Sequence, residues 1–342
     1  MTSPMRAYGA DGLRVGVAGA GFVAKIHLAA WRRLGVARLV VYDVHPDRAS
    51  QAATDAGAEI AISLPELIGG VDVVDICTPT DDHRATAEAA AAAGRHVICE
   101  KPIARSIGDA LALTDACRRV GVRLFVAHVT RYFPEYVAAR AAVAAGRIGR
   151  PAVLRLRRES SRPSKAATSW IFDDARSGGM ILDLMIHDFD FARWIAGDVA
   201  SVMARHVRDA SDCDVDYAVA ILRHASGALS HVTGAWSYPP PVFRTGFELA
   251  GDAGLIEYES VDQQPIARYL PPGTGEEFLG LPASPLADDP FMLELGDFAR
   301  ALNTGAAPRV SADDGIAALQ IALAAVESSR LGRPVRIGEA GW

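Results

Sequence analysis

The residues best suited to chemistry lie in three stretches of the chain. One runs Gly178-Gly179-Met180-Ile181-Leu182-Asp183-Leu184-Met185-Ile186-His187-Asp188-Phe189-Asp190. On a helix Asp183 and His187 stand at i and i+4 and share a face, with Asp190 one turn further. Leu182, Met185, Ile186 and Phe189 supply the apolar sides, and the glycine pair permits close backbone approach at the helix start. A polar stripe on so apolar a helix needs a partner: a substrate, a metal or another polar group. A metal is the weaker functional reading, because the stretch offers one His and no Cys. A hydrogen bond between Asp183 and His187 with a structural role is the third.

A second stretch is Glu100-Lys101-Pro102, straight after the apolar run His96 to Cys99. A charged pair at the end of a strand points to a ligand edge more than to packing, although a surface Glu/Lys pair is the bland alternative. Pro102 restricts Lys101 to an extended backbone, which helps aim its ammonium.

The third stretch is Arg14 to Trp31, RVGVAGAGFVAKIHLAAW. It reads as strand, tight turn and helix. Gly19, Gly21 and Ala24 fit a dinucleotide fingerprint, with Phe22 and Val23 between them. Gly19 allows the sharp turn, Gly21 has no Cβ to hold off a pyrophosphate, and free N–H groups at the helix start face the phosphates. Asp43 ends the next strand and is placed to accept hydrogen bonds from a ribose, which favours NAD over NADP. It also reads as a turn Asp, and His45 and Arg48 keep NADP open. Thr78, Pro79 and Thr80 follow a further strand and are candidates to line the cofactor, with His83 at the next helix start. Glu100 and Lys101 complete the cofactor set.

Elements must position these groups. Residues 13–128 alternate strand and helix: strands at Arg38 to Tyr42, Val71 to Cys77, His96 to Cys99 and Arg123 to Ala127, and helices at Pro46 to Ala56, Thr86 to Ala93 and Ser106 to Val120. Ser63-Leu64-Pro65-Glu66 has capping-box spacing. Such βα units predict an α/β doubly wound parallel sheet. After a helix at Tyr136 to Ala145, strand-like runs dominate, several alternating apolar and polar. One helix, Gly179 to Ile195, interrupts them, and helices at Phe291 to Leu302 and Asp313 to Arg330 close the chain. Residues 129–342 are thus expected to form an α+β domain on one open, mainly antiparallel sheet. Residues 1–12 read as a flexible tail, and Pro282 to Pro290 as an exposed loop.

The chain has 342 residues, 50% of them hydrophobic, and a net charge of −6, which argues against a broad nucleic-acid surface. No apolar run reaches membrane-spanning length, and the start lacks a signal-peptide pattern, so a cytoplasmic protein is expected. Cys77, Cys99, Cys117 and Cys213 show no paired spacing and read as reduced thiols. A one-layer sheet must cover its open face, which predicts a homodimer or homotetramer.

Taken together, the motifs at Gly19 to Ala24, Glu100 to Pro102 and Gly178 to Asp190 resemble those of the Gfo/Idh/MocA oxidoreductases, typified by glucose–fructose oxidoreductase and inositol dehydrogenase. The likeness covers nearly the whole chain and extends to Arg147-Ile148-Gly149 and to Arg309 through Gly315. It implies a Rossmann domain, a larger sheet domain, and a substrate held between them over a nicotinamide. Lys101, Asp183 and His187 match the family's catalytic Lys, Asp and His. His128, Arg131 and Tyr132 fall where the family lines its substrate pocket, and Trp170 is a further candidate to meet the substrate. The expected reaction is oxidation of a secondary alcohol of a polyol or sugar by hydride transfer to NAD or NADP, with no metal. Alternatives are a hydrolase or epimerase that uses a tightly held NAD transiently, and a non-catalytic sugar-binding regulator.

Overall fold

The computed structural model describes residues 9–163, 169–209, 215–260 and 289–339. The chain forms two compact units, Met1–Phe133 with Leu286–Ile316, and Pro134–Pro285 with Ala317–Trp342. The expected tail mostly precedes the described residues. Its end does not: Ala10–Gly12 form a helical turn, and Ala10 is buried.

The first unit begins with β1 (Arg14–Ala18), α1 (Phe22–Leu34), β2 (Arg38–Tyr42), α2 (Pro46–Ala56), β3 (Glu59–Ile60) and α3 (Leu64–Gly69). It continues with β4 (Val73–Ile76), α4 (His83–Ala92), β5 (His96–Glu100), α5 (Ile107–Val120) and β6 (Leu124–Ala127). The capping box forms as its spacing predicts. Ser63 Oγ accepts from Glu66 N, and the Glu66 carboxylate reaches back to Ile62 N. The strands run β3-β2-β1-β4-β5-β6, all parallel. The order reverses between β1 and β4, and ligands of such sheets bind outside the carboxyl ends at that point. Val15, Val17, Val73, Ile98 and Phe125 are fully buried and build the core with Leu28 and Trp31 of α1.

Further along come α6 (Pro134–Ala144), β7 (Pro151–Ser161), α7 (Gly179–Asp183), α8 (Ile186–Ala196), β8 (Val199–Asp209), β9 (Val215–His224), β10 (Leu229–Tyr238), β11 (Phe243–Gly251) and β12 (Leu255–Glu259). The chain closes with α9 (Pro290–Thr304), α10 (Ala312–Leu331) and β13 (Val335–Arg336). The sequence reading gave α9 to the second domain. In the structure it packs on the first unit's core: Phe291, Leu295 and Phe298 are buried there, and Phe298 stacks on Phe125 at 4.9 Å.

In the second unit the strands run β12-β11-β7-β10-β9-β8-β13. Every neighbour is antiparallel except β7 with β10, which run parallel. Leu154, Leu156, Ala218, Ala220, Leu222 and Val232 form the buried face, which α8 covers in part. The opposite face carries Val207, Tyr217, Ile221 and Leu229, each more than a third exposed. Ion pairs Arg155–Glu248 and Arg157–Glu259 flank them. The Pro282–Pro290 loop and Cys213 lie largely or wholly outside the described residues, and Cys77, Cys99 and Cys117 are buried free thiols.

Candidate active site

At the carboxyl ends of β1 and β4, the two motif glycines have different physical reasons. Gly19 has φ +102°, and a Cβ there would meet Cys77 O at 2.5 Å, so the protein itself demands a glycine. A Cβ on Gly21 would meet nothing within 4 Å. Nothing among the described residues therefore requires a glycine at position 21. Gly21 caps α1 with no side-chain hydrogen bond and no acidic residue in the first turn, which leaves the helix start open to an anion. Across the switch point, Thr78 Oγ1 is buried with no hydrogen-bond partner. An open cradle, an uncapped helix start and an orphaned hydroxyl suit a dinucleotide. Phe22 and Val23 lie in the first turn of α1, exposed and half-buried. Asp43 serves the turn itself: Oδ2 accepts from Ala20 N and Oδ1 from His45 N, each at 2.8 Å. Each oxygen keeps a second lone pair for a ribose hydroxyl.

Glu100 ends β5, and its Oε2 accepts from Lys101 N at 3.0 Å. Lys101 is half-buried, and the Lys101–Pro102 peptide is cis. Beneath Glu100 lies a group that the sequence reading did not single out. His27 Nε2 sits 3.1 Å from Glu100 Oε1, an ion-pair distance without hydrogen-bond alignment. His27 Nδ1 is 2.9 Å from Asp75 Oδ2, and Trp31 Nε1 donates to the same oxygen at 2.8 Å. Burial opposes a charge on His27, but Asp75 and Cys77 outweigh it and raise the ring well above its usual value. The His27, Asp75 and Cys77 donor atoms lie within 4.8 Å of one another, as metal ligands would. Burial holds the Cys77 thiol up at about 12, and its contacts to His27 and Asp75 are those of a hydrogen-bonded cluster. Glu294 of α9 is fully buried nearby with neither carboxyl oxygen bonded; burial and Glu100 push its carboxyl well above the usual range.

His83 was expected to meet the cofactor. It is instead buried, with Nδ1 3.0 Å from Pro102 O and Nε2 3.1 Å from Thr78 O. Burial lowers its pKa, and a neutral ring donates to one carbonyl at a time. Pro79 is half-buried and Thr80 is buried at the turn before α4.

Two substrate-pocket candidates are engaged within the first unit. Tyr132 is 1% exposed, donates to Asp297 Oδ2 at 2.9 Å and lies under the Arg309 guanidinium. Burial and the carboxylates Glu294 and Asp297 raise its phenol far above the usual value, so it exchanges no proton near neutral pH. Arg131 is 2% exposed, with its guanidinium 3.2 Å from Asp314 and bonded to Arg309 O. Both side chains are committed to packing α9 and the start of α10. His128 is fully buried beyond β6.

In the second unit the expected single helix is broken at Leu184-Met185, between α7 and α8. Asp183 and His187 flank the break. They are half-buried, while every other residue from Met180 to Asp190 is buried. On β10, a Cβ on Gly234 would collide with Met185 Cγ at this break. The bare backbone there admits Met185 and with it the bend. Asp188, next to His187, is held by Arg158 of β7 at 2.8 and 3.2 Å in full burial. Arg158 and Gly234 had no signal in the sequence beyond their place in alternating strands. Trp170 opens a helical turn at Trp170–Phe172 and is half-buried.

Two family models match. Residues 13–128 fit an oxidoreductase family with an NAD-binding Rossmann fold, and residues 136–257 fit the GFO/IDH/MocA C-terminal domain. The chain is 32% identical to inositol 2-dehydrogenase of Rhizobium meliloti, over 95% of this chain and 99% of that protein. It is 31% identical to myo-inositol 2-dehydrogenase of Thermotoga maritima, over 96% and 99%. Among solved structures, a levoglucosan dehydrogenase with NADH and L-sorbose superposes with TM-score 0.80 at 27% identity, over 96% of this chain and 99% of that one. With both halves matched and the likeness running nearly end to end, the chain belongs to the Gfo/Idh/MocA family of NAD-binding oxidoreductases.

Proposed function

We propose that this protein oxidises a secondary alcohol of a polyol or sugar, an inositol, an aldose or a derivative, with NAD as hydride acceptor. The observation that carries the reading is a complete Lys101, Asp183 and His187 set in a chain similar over 95% of its length to an inositol 2-dehydrogenase. NAD, when bound, takes the hydride. The α1 start and Gly21 hold its pyrophosphate, Asp43 its ribose, and Thr78 and Glu100 complete its surroundings. His187 takes the alcohol proton at an imidazole nitrogen. The Lys101 ammonium stabilises the developing alkoxide. Asp183 orients the hydroxyl or the imidazole. His128, Arg131, Tyr132 and Trp170 stay candidates for substrate contact, whereas both His83 ring nitrogens face backbone carbonyls. The similar inositol 2-dehydrogenases and a 1,5-anhydro-D-fructose reductase carry names of net oxidoreductases, which favours net oxidoreduction over transient use of NAD or ligand sensing.

A NADH-absorbance screen of inositols, aldoses, sugar phosphates and dihydrodiols, with NAD and NADP in parallel, tests this. One or more polyols should reduce NAD faster than NADP; a panel with no turnover overturns it. A homodimer or homotetramer through the open sheet face belongs to the same reading, supported by the exposed Val207, Tyr217, Ile221 and Leu229. So does a cytoplasmic address. No helix among the described residues is long and apolar enough to cross a membrane.

A further inference from the structure

We propose that His27 and His83 are positioning residues that fix the backbone of Lys101 from its two sides. The inference rests on the reading of Lys101 as catalytic. Lys101 is the first residue beyond β5, and a lysine ammonium on a four-carbon stem is aimed only as well as its anchor is held. Before it, Glu100 takes the Lys101 N–H with one oxygen and lies against His27 Nε2 with the other, 3.1 Å away. His27 is itself pinned through Nδ1 to Asp75, whose carboxylate Trp31 also holds. After it, the Pro102 carbonyl lies 3.0 Å from His83 Nδ1.

Both rings stand on helices that begin at the cofactor end of the sheet. His27 is in α1, which starts behind the glycine turn, and His83 opens α4, with Nε2 on the Thr78 carbonyl. The clamp therefore makes the glycine turn, the Thr78 turn and Lys101 one mechanical body. Stability alone is a weak reason for such a cluster, because buried ionic groups can often be replaced by apolar ones of similar volume without loss. His27, Asp75 and Glu100 are nevertheless held in the core with exposures of 0%, 0% and 6%.

Amide substitutions separate the two ends of each ring. An asparagine amide reaches the place of Nδ1, and a glutamine amide the place of Nε2. His27→Gln keeps the group facing Glu100, whereas His27→Asn keeps only the one facing Asp75. His83→Asn keeps the contact to Pro102, and His83→Gln keeps only that to Thr78. Turnover on the fastest polyol of the panel above should fall about tenfold or more in His27→Asn and His83→Gln, as small misplacements of reacting groups do. It should stay within about threefold of wild type in His27→Gln and His83→Asn. NAD affinity, measured by fluorescence titration, should change little in all four.

A second readout needs no substrate. The chain has three lysines, Lys25, Lys101 and Lys165. After reductive 13C-methylation, the Lys101 signal, identified with Lys101→Arg, should move on adding NAD. That movement should be at least halved in His27→Asn and His83→Gln and kept in their partners. Equal losses for both amides at each position, or losses that simply follow melting temperature, overturn the proposal. Should the His27 variants fail to fold, the His83 pair decides alone. Lys101→Met separates the two readings: if it retains full turnover, the catalytic assignment falls and the clamp with it. If it is inactive while the amide pairs do not split, the clamp alone is wrong.

Discussion

Arg158 on β7 grips Asp188, the residue after His187, with Nε to Oδ2 at 2.8 Å and Nη2 to Oδ1 at 3.2 Å, both side chains buried. Burial pushes the Asp188 carboxyl up, and the guanidinium opposes it. The first turn of α8, and with it His187, is thereby tied to the sheet. Asp188→Leu alone should cost about 3–5 kcal/mol by urea unfolding, because Arg158 keeps a buried charge without its partner. Adding Arg158→Met should recover most of that stability. Turnover should stay depressed in the recovered double variant, since the polar tie between the start of α8 and β7 is then lost.

Gly19 and Gly21 should separate folding from cofactor binding. Gly19→Ala faces both φ +102° and the Cys77 carbonyl, so it should lower the melting temperature clearly. Gly21→Ala has room within the protein and φ −74°, so its melting temperature should stay near wild type. Its NAD affinity should fall at least tenfold in a titration followed by tryptophan fluorescence. Unchanged affinity would remove Gly21 from the pyrophosphate site.

Gly234→Ala should cost about 1–3 kcal/mol, the usual range for overpacking, because its Cβ collides with Met185 at the helix break. Turnover should fall more than stability alone explains, since Asp183 and His187 lie on either side of that break. Adding Met185→Ala should recover part of the stability; no recovery would mean that the collision lies elsewhere.

That break marks where sequence reasoning ran out. The run from Gly179 to Ile195 keeps a helical apolar period throughout, so periodicity had no reason to stop at Leu184. The bend is written in a residue on another element. The parallel pairing of β7 with β10 was hidden for the same reason, because alternation reports a strand's faces and not its neighbours. The contacts of Arg131 to Asp314 and of Tyr132 to Asp297 span long stretches of chain and left no local signal. What local chemistry dictates was legible: the Ser63 cap, the strand from Arg38 to Tyr42, the helix opened by Pro46, and the sharp turn at Gly19. Asp43 was legible as a residue of the turn's end, and its bond to Ala20 N shows how it holds the glycine turn in shape.

The Arg131–Asp314 pair should appear in acid unfolding. Burial alone would raise the Asp314 carboxyl, but Arg131 and Ser311 bring it down to about 2. An Asp held below its unfolded value of about 3.9 stabilises the fold above that value and loses the contribution as pH falls through the folded one. Wild type should exceed Asp314→Asn by at most about 2 kcal/mol at pH 7, with the gap closing between about pH 4 and 2. A gap independent of pH would mean that packing, not charge, is what Asp314 supplies.

If His187 receives the proton while NAD receives the hydride, single-turnover absorbance of NADH reads the loss of His187. Enzyme saturated with NAD is mixed with excess polyol, wild type beside His187→Ala, and NAD affinity is measured on the same samples. The rate of NADH formation should fall by at least about a hundredfold in the variant while NAD affinity stays within about threefold. NADH formation at the wild-type rate in His187→Ala would contradict it.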